Sequence, residues 1–281
     1  MFWIVDRAPR DEDTDPMLWI ATGRMPGRDD MARLIRALEN QNVPHEAVRK
    51  PPFADYLVAM DDKERRVEMR PEGLVFAYGS TTLDEVSKSM GWTPGFVDGP
   101  PMDECDARWG AHMLNFGARI EVIGTMAVPD DQVFIRPVDD GKSFAGKCID
   151  PAEFESWRKG ILDIKSWTNL PATTRVVVGV PRRIHAEWRI AVVDGIPVTS
   201  SLYRDGSRLR NELGAPKEVI DFATERAREW NPRAAFVMDV CTTPDGLRIV
   251  ETNSISSAGF YSMDLDVYVA AIEASSLSDG K

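Results

Sequence analysis

Between residues 175 and 251 the sequence is a succession of β-branched runs joined by tight turns, and this constrains the fold more than any other feature. Residues 175–180 and 187–193 are extended by composition, rich in valine and isoleucine. Asp194-Gly195 separates Ala191-Val192-Val193 from Ile196-Pro197-Val198. That pair is a two-residue hairpin signal, because both central positions of the favoured turn need left-handed backbone. Residues 236–240 and 247–251 form a second pair of runs around Pro244-Asp245-Gly246. Between the two pairs, Val219, Ile220, Phe222, Ala223, Ala227 and Trp230 line one side of a predicted helix over 218–230. Antiparallel hairpins with helices beside them predict an α+β fold rather than a doubly wound parallel sheet.

The first half alternates short apolar runs with helical patterns, as α/β layers do. Asp29-Asp30 precede a helical run beginning at Met31. A strand is predicted over 74–78, followed by Gly79-Ser80-Thr81-Thr82 and a helix over 83–90. Strand, glycine, hydroxyl and helix is how many substrate crevices begin, and equally how ordinary α/β units are joined. Residues 105–116 read as a helix with Trp109, Met113 and Leu114 on its core face. The pattern changes at Val128-Pro129-Asp130-Asp131, so the expected division is an N-terminal α/β domain over 1–130 and a second domain over 131–281.

Composition removes several function classes. The net charge of -11 and pI near 4.9 are opposite to the balance of nucleic-acid binding proteins. Arg182-Arg183 and the arginines between 204 and 210 gather locally, as a solvated face or as a phosphate-facing one. Cys105, Cys148 and Cys241 are scattered and odd in number, and His45, His112 and His185 are isolated, which argues against a disulfide framework and a zinc site. No apolar run reaches the roughly 20 residues of a membrane span, and the N-terminus lacks a secretory pattern, so a cytoplasmic protein is expected.

Three groups of residues can carry chemistry. In the last hairpin, Asp239 lies within the first strand while Glu251 and Asn253 lie at the end of the second. Residues two apart share a strand face, so three oxygen-bearing side chains converge there, a set suited to Mg2+. The plainer reading is a polar strand edge. The second group runs from Phe134-Ile135-Arg136-Pro137 through Gly141-Lys142-Ser143 to Gly146-Lys147-Cys148. Its glycines and lysine approach a P-loop, but Cys148 occupies the hydroxyl position, and the helix signal comes later, at Asp150-Pro151. A strand–glycine loop–strand hairpin fits better, with Arg136 and Lys147 on its strands and Lys142 in its loop supplying positive charge to a polyphosphate. The third group is Glu187 and Arg189, on one face of a strand whose other face is Trp188, Ile190 and Val192. That charged face looks into a cleft, or forms a surface ion pair.

In this order the motifs resemble the ATP-grasp superfamily. The resemblance rests on Phe134-Ile135-Arg136-Pro137, Ser143 to Lys147, Ala186-Glu187-Trp188-Arg189, Ser201-Leu202-Tyr203-Arg204, Asp239, and Val250-Glu251-Thr252-Asn253-Ser254 through Tyr261, preceded by Trp92-Thr93-Pro94-Gly95 and Trp109-Gly110. It is strongest over 133–261 and points to a clade common in bacteriophages and bacteria, in which arginine, here Arg136, replaces the usual phosphate-binding lysine. The resemblance implies two α+β subdomains holding ATP after an α/β N-terminal domain. By position it implies Asp239, Glu251 and Asn253 as magnesium ligands and Arg136, Lys142 and Lys147 as phosphate contacts. Glu187 would meet the ribose, the backbone around Val178 and Val180 the adenine edge, and Arg189 and Arg204 the transferring phosphoryl group or the acceptor carboxylate. The implied activity is ATP- and Mg2+-dependent joining of a small-molecule or peptide carboxylate to an amine. A phosphotransferase and a nucleotide-binding module without turnover are the alternatives within the fold, and an acidic protein-binding protein is the one outside it. Nothing in the sequence names the acceptor or the oligomeric state.

Overall fold

A computed structural model describes residues 17–22, 30–52, 54, 56–60, 65–67, 74–138, 144–163 and 170–279. The chain forms two compact units, one joining residues 1–110 to 185–281 and the other made of residues 111–184.

The N-terminal part of the first unit contains β1 (Leu18–Thr22), α1 (Asp30–Asn40), β2 (His45–Arg49), β3 (Leu57–Ala59), β4 (Arg66–Val67), β5 (Val75–Tyr78), α2 (Thr82–Met90), β6 (Pro94–Gly95) and α3 (Met102–Trp109). The strands form one sheet in the order β4-β3-β2-β1-β5-β6, parallel from β2 to β6. Every residue of β5 is buried, as a central parallel strand demands. Helix α1 turns Leu34, Ala37 and Leu38 inward, and Asp29 lies outside the described residues. The helix expected over 105–116 starts earlier and stops at Trp109. Gly110 has a left-handed φ of 50°, which ends the α-helix, and a short 3-10 turn follows over Gly110–His112. Trp109, Met113 and Leu114 are buried, as expected of core residues.

The second unit holds β7 (Arg119–Val122), β8 (Val133–Pro137), β9 (Lys147–Ile149), α4 (Pro151–Leu162) and β10 (Arg175–Gly179). Its sheet runs β7-β10-β8-β9, antiparallel throughout. Asp150 caps α4 by accepting from Glu153 N at 2.8 Å, with Pro151 in the first turn, so this boundary stands where the sequence put it. Ile135, Ile149, Phe154, Val176 and Val178 form the core. The pattern change at Val128–Asp131 therefore lies inside a compact unit. Pairing of β7 with β10 draws the preceding strand into that unit and moves the division to residues 110–111 and 184–185.

The chain then returns to the first unit with β11 (Ala186–Val193), β12 (Ile196–Asp205), β13 (Arg208–Leu213), α5 (Lys217–Glu229), β14 (Ala235–Thr243), β15 (Gly246–Asn253) and α6 (Leu265–Glu273). These strands make an antiparallel sheet, β13-β12-β11-β14-β15. Asp194 and Gly195, at φ 48° and 76°, close the β11–β12 hairpin in the left-handed form their sequence favours. One core joins this sheet to the N-terminal one. Trp19, Phe76 and Tyr78 pack in the same cluster as Val237, Phe260, Tyr268 and Val269. The Trp19 indole also donates to Glu273 at 2.7 Å, and the Tyr78 hydroxyl donates to Ala258 O at 2.5 Å. Among the described residues no helix is long and apolar enough to cross a membrane.

Candidate functional site

The candidate site on the first unit is built across three neighbouring strands. Register sets Arg189 on β11 opposite Asp239 on β14, and Asp239 opposite Glu251 on β15. Directly opposed residues share a sheet face, so Arg189, Asp239 and Glu251 form a row, with Asn253 two positions on from Glu251. Asn253 donates through Nδ2 to Glu251 Oε1 at 3.1 Å, which leaves its carbonyl Oδ1 as an acceptor. The structure thus brings together the three residues expected to bind metal.

Two β-bulges shape this face. Between the pairs Asp239–Glu251 and Val240–Ile249, Val250 is an extra residue on β15. Between the pairs Glu187–Arg204 and Trp188–Leu202, Tyr203 is an extra residue on β12. A bulge bends the strand and re-aims its side chains, and bulges concentrate beside functional sites. The second one lets both Tyr203 and Arg204 reach Glu187. The Tyr203 hydroxyl donates to Glu187 Oε2 at 2.7 Å, and Arg204 Nε lies 3.0 Å from Oε1.

Arg189 is held more tightly than its sequence context implied. Its Nε and Nη2 donate to the two oxygens of Asp239 at 2.9 and 2.7 Å, and Nη1 donates to Gly259 O at 3.2 Å. The two side chains are 11% and 1% exposed, so this is a buried fork-on-carboxylate pair and not a surface one. Tyr203 and Tyr261 stack with centroids 4.9 Å apart, and the guanidinium lies 5.0 Å from the Tyr261 ring and 5.7 Å from the Tyr203 ring. Burial alone would lower the Arg189 pKa, but the Asp239 charge and hydrogen bonds hold it well above the usual arginine value. Burial raises the pKa of both phenols and the Asp239 charge adds to it, against the opposing pull of Arg189, so both phenols stay protonated. Tyr261 itself sits at a left-handed φ of 50°, an uncommon conformation for an aromatic residue. Its carbonyl accepts from Arg33, which also donates to Met263 O at 2.6 Å.

This donor set suits a hard cation. Asp239 and Glu251 supply carboxylates and Asn253 a carboxamide oxygen, within the range magnesium uses beside phosphate oxygens and water. Asp239 gives one lone pair on each oxygen to Arg189 and retains further acceptor capacity. Among the described residues no three side chains of Asp, Glu, His or Cys cluster as a metal site. A metal here therefore rests on two carboxylates and the amide.

The second unit carries the basic and backbone candidates. Ile135 on β8 pairs with Lys147 on β9, so Lys147 shares the face of Ile135 while Arg136 points to the other. Lys147 sits 3.2 Å from Glu153 and 4.7 Å from the centre of the Trp157 ring, both on α4. Arg136 and Lys147, expected on the two strands of one hairpin, are found there on opposite faces. Lys142 lies outside the described residues. The Val178 side chain is in the core and its backbone lies between β7 and β8. Val180, 70% exposed, lies past the strand end and lines a small cavity with Gly179, Leu114, Asn115, Phe116 and Arg182.

Residues 51–272 match a family model described as an ATP-grasp domain, the third family of its clade. The chain belongs to the ATP-grasp superfamily. Several solved structures share its α+β fold at low identity. The D-cycloserine synthetase DcsG aligns at TM-score 0.58 and 13% identity, over 92% of this chain and 98% of that one. The D-alanine–D-alanine ligase of Bacillus anthracis aligns at TM-score 0.53 and 12% identity, over 94% and 90%. The ATP-grasp ligase PsnB, solved with a minimal precursor, aligns at 0.52 and 12%, over 92% and 99%. No curated protein matches the chain by sequence. Sequence reasoning assigned no role to Tyr203 or Tyr261. Their signal was membership of two motif segments, Ser201–Arg204 and Gly259–Tyr261.

Proposed function

We propose that this ATP-grasp protein is an ATP- and Mg2+-dependent carboxylate–amine ligase. The observation that carries the reading is the row Arg189–Asp239–Glu251, with Asn253 beside it, on a bulged sheet of an ATP-grasp domain. Asp239, Glu251 and Asn253 would hold magnesium. When bound, the ion would offset negative charge on the polyphosphate. Arg189, committed to Asp239 through two hydrogen bonds, fixes the orientation of that carboxylate. Arg204, with its side chain 48% exposed, has donors to spare for the transferring phosphoryl group or an acceptor carboxylate. Glu187 is the candidate for the ribose hydroxyls, steadied by Tyr203. Arg136 and Lys142 are proposed for the phosphates, whereas Lys147, on the other face of the hairpin, is turned towards Glu153 and Trp157, and the backbone around Val178 and Val180 is proposed for the adenine edge.

In the reaction proposed, a carboxylate oxygen attacks the γ-phosphorus of ATP and ADP departs, leaving an acyl phosphate. An amine nitrogen then attacks the acyl carbon, phosphate leaves with the bonding electrons, and the nitrogen loses a proton. The protein's part is alignment and charge neutralisation, which asks for no activated serine or cysteine. Supporting this outcome, DcsG is named a synthetase, and PsnB and the D-alanine–D-alanine enzyme are named ligases. The PsnB structures hold a precursor peptide, which supports small molecules or peptides as the class to try first.

The test is a screen of amino acids, peptides and polyamines for ADP release with Mg2+-ATP, followed by mass spectrometry. The expected product has the mass of the two substrates less one water. A product carrying phosphate would make the protein a phosphotransferase. Nucleotide binding without ADP release under any mixture would make it a binding module.

A further inference from the structure

Glu251 and Asn253 lie on β15, an outermost strand of its sheet, next to a bulge. Edge strands present unpaired backbone and fray readily, so ligands placed there need support from outside the sheet. The segment between β6 and α3 supplies it. Ser254 Oγ donates to Val97 O at 2.7 Å, and Val97 N donates to Ser256 Oγ at 2.9 Å. Thr252, whose side chain points away from the Glu251–Asn253 face, donates to Pro100 O at 3.3 Å and lies 3.4 Å from Cys105 Sγ.

At the centre of this strap is Gly99. A methyl group built on its Cα would lie 2.7 Å from Asn253 C, 2.7 Å from Ser254 N and 3.2 Å from Asn253 Cα. All three are backbone atoms, which cannot swing aside as a side-chain tip can. Gly99 does not have a left-handed φ, so glycine is required here for space and not for conformation.

Resting on the magnesium reading above, we infer that Gly99 is a positioning residue for the metal site, setting where Asn253 lies by direct backbone contact. The strap belongs to the N-terminal part of the chain and the ligands to the C-terminal part. Metal geometry thus depends on a contact between segments far apart in sequence, the span separating Val97 from Ser254 being 157 residues.

The test is calorimetric titration of magnesium into the full chain held at a saturating level of a non-hydrolysable ATP analogue. Gly99→Ala is expected to raise the half-saturating magnesium concentration about tenfold or more, the range seen when groups supporting metal ligands are changed. Gly124→Ala is the control, since its methyl would lie 2.7 Å from Ala172 O but meets nothing at β15. It should leave the magnesium requirement unchanged. Thr252→Val keeps the shape, removes the tie to Pro100, and is expected to raise the requirement severalfold. It decides the matter if Gly99→Ala does not fold. Wild-type magnesium dependence in both Gly99→Ala and Thr252→Val would overturn the inference and leave the metal reading intact. Analogue binding by the unaltered protein with no magnesium requirement would overturn the metal reading, and this inference with it.

Discussion

Replacing Asp239 with asparagine separates the structural and chemical parts of the account. The change removes the negative charge from a side chain 1% exposed, leaving the 11% exposed Arg189 beside two tyrosine rings with Gly259 O at 3.2 Å as its backbone acceptor. Breaking a buried ion pair on one side costs about 3–5 kcal/mol, because the surviving charge stays desolvated. At about 2–4 °C per kcal/mol for a unit of roughly 150–250 residues, Tm should fall by about 6–20 °C. Thermal and urea unfolding, followed by circular dichroism, measure it. Removing both partners, as Arg189→Met with Asp239→Leu, should restore most of that stability while abolishing magnesium-dependent nucleotide binding. A single variant within about 0.5 kcal/mol of the wild type would refute the reasoning. So would a double variant no more stable than the single.

Other consequences are independent of that pair. Tyr203→Phe keeps the ring stacked on Tyr261 but deletes the 2.7 Å hydrogen bond to Glu187, and should cost about 1.5–3 kcal/mol in urea unfolding. Asp150→Ala removes the cap on α4 and should cost about 1 kcal/mol. Burial pushes the Cys105 thiol up to about 11 and the Cys241 thiol up to about 12, while Cys148 is exposed. Iodoacetamide at pH 8 should therefore label the native protein at Cys148 alone. Those two buried thiols are protonated in the fold when the unfolded chain has begun to lose its protons. The folded state then binds more protons, so stability should decline as pH rises above the ordinary thiol value of 9.0 towards 11 and 12. A flat stability profile from pH 8 to 11 would contradict that assignment.

What the sequence disclosed was mostly local. Asp194-Gly195, the Asp150–Pro151 helix start and the hairpin around Pro244-Asp245-Gly246 each depend on a few adjacent residues, and the structure forms all three as turn or cap. The convergence of Asp239, Glu251 and Asn253 was also legible, since one tight hairpin fixes it. What escaped depends on register between distant strands. Arg189 and Asp239 are separated by 50 residues, so their pairing required the β11–β14 alignment. The opposite facing of Arg136 and Lys147 turns on Ile135, not Arg136, being the partner of Lys147. Gly99 carried no signal at all, because the crowding that demands glycine comes from Asn253 and Ser254. The division into units escaped because the first unit is discontinuous, with Trp19 and Phe76 sharing a core with Val237 and Tyr268.

The central claim is that Asp239, Glu251 and Asn253 grip a divalent ion together with the nucleotide. Electron paramagnetic resonance of manganese, titrated into the protein with ATP, reads that grip directly. Wild type should show one protein-bound manganese–nucleotide site that Glu251→Gln with Asn253→Ala loses while the fold is retained by circular dichroism. Equal binding of manganese–ATP by that folded double variant would contradict the account.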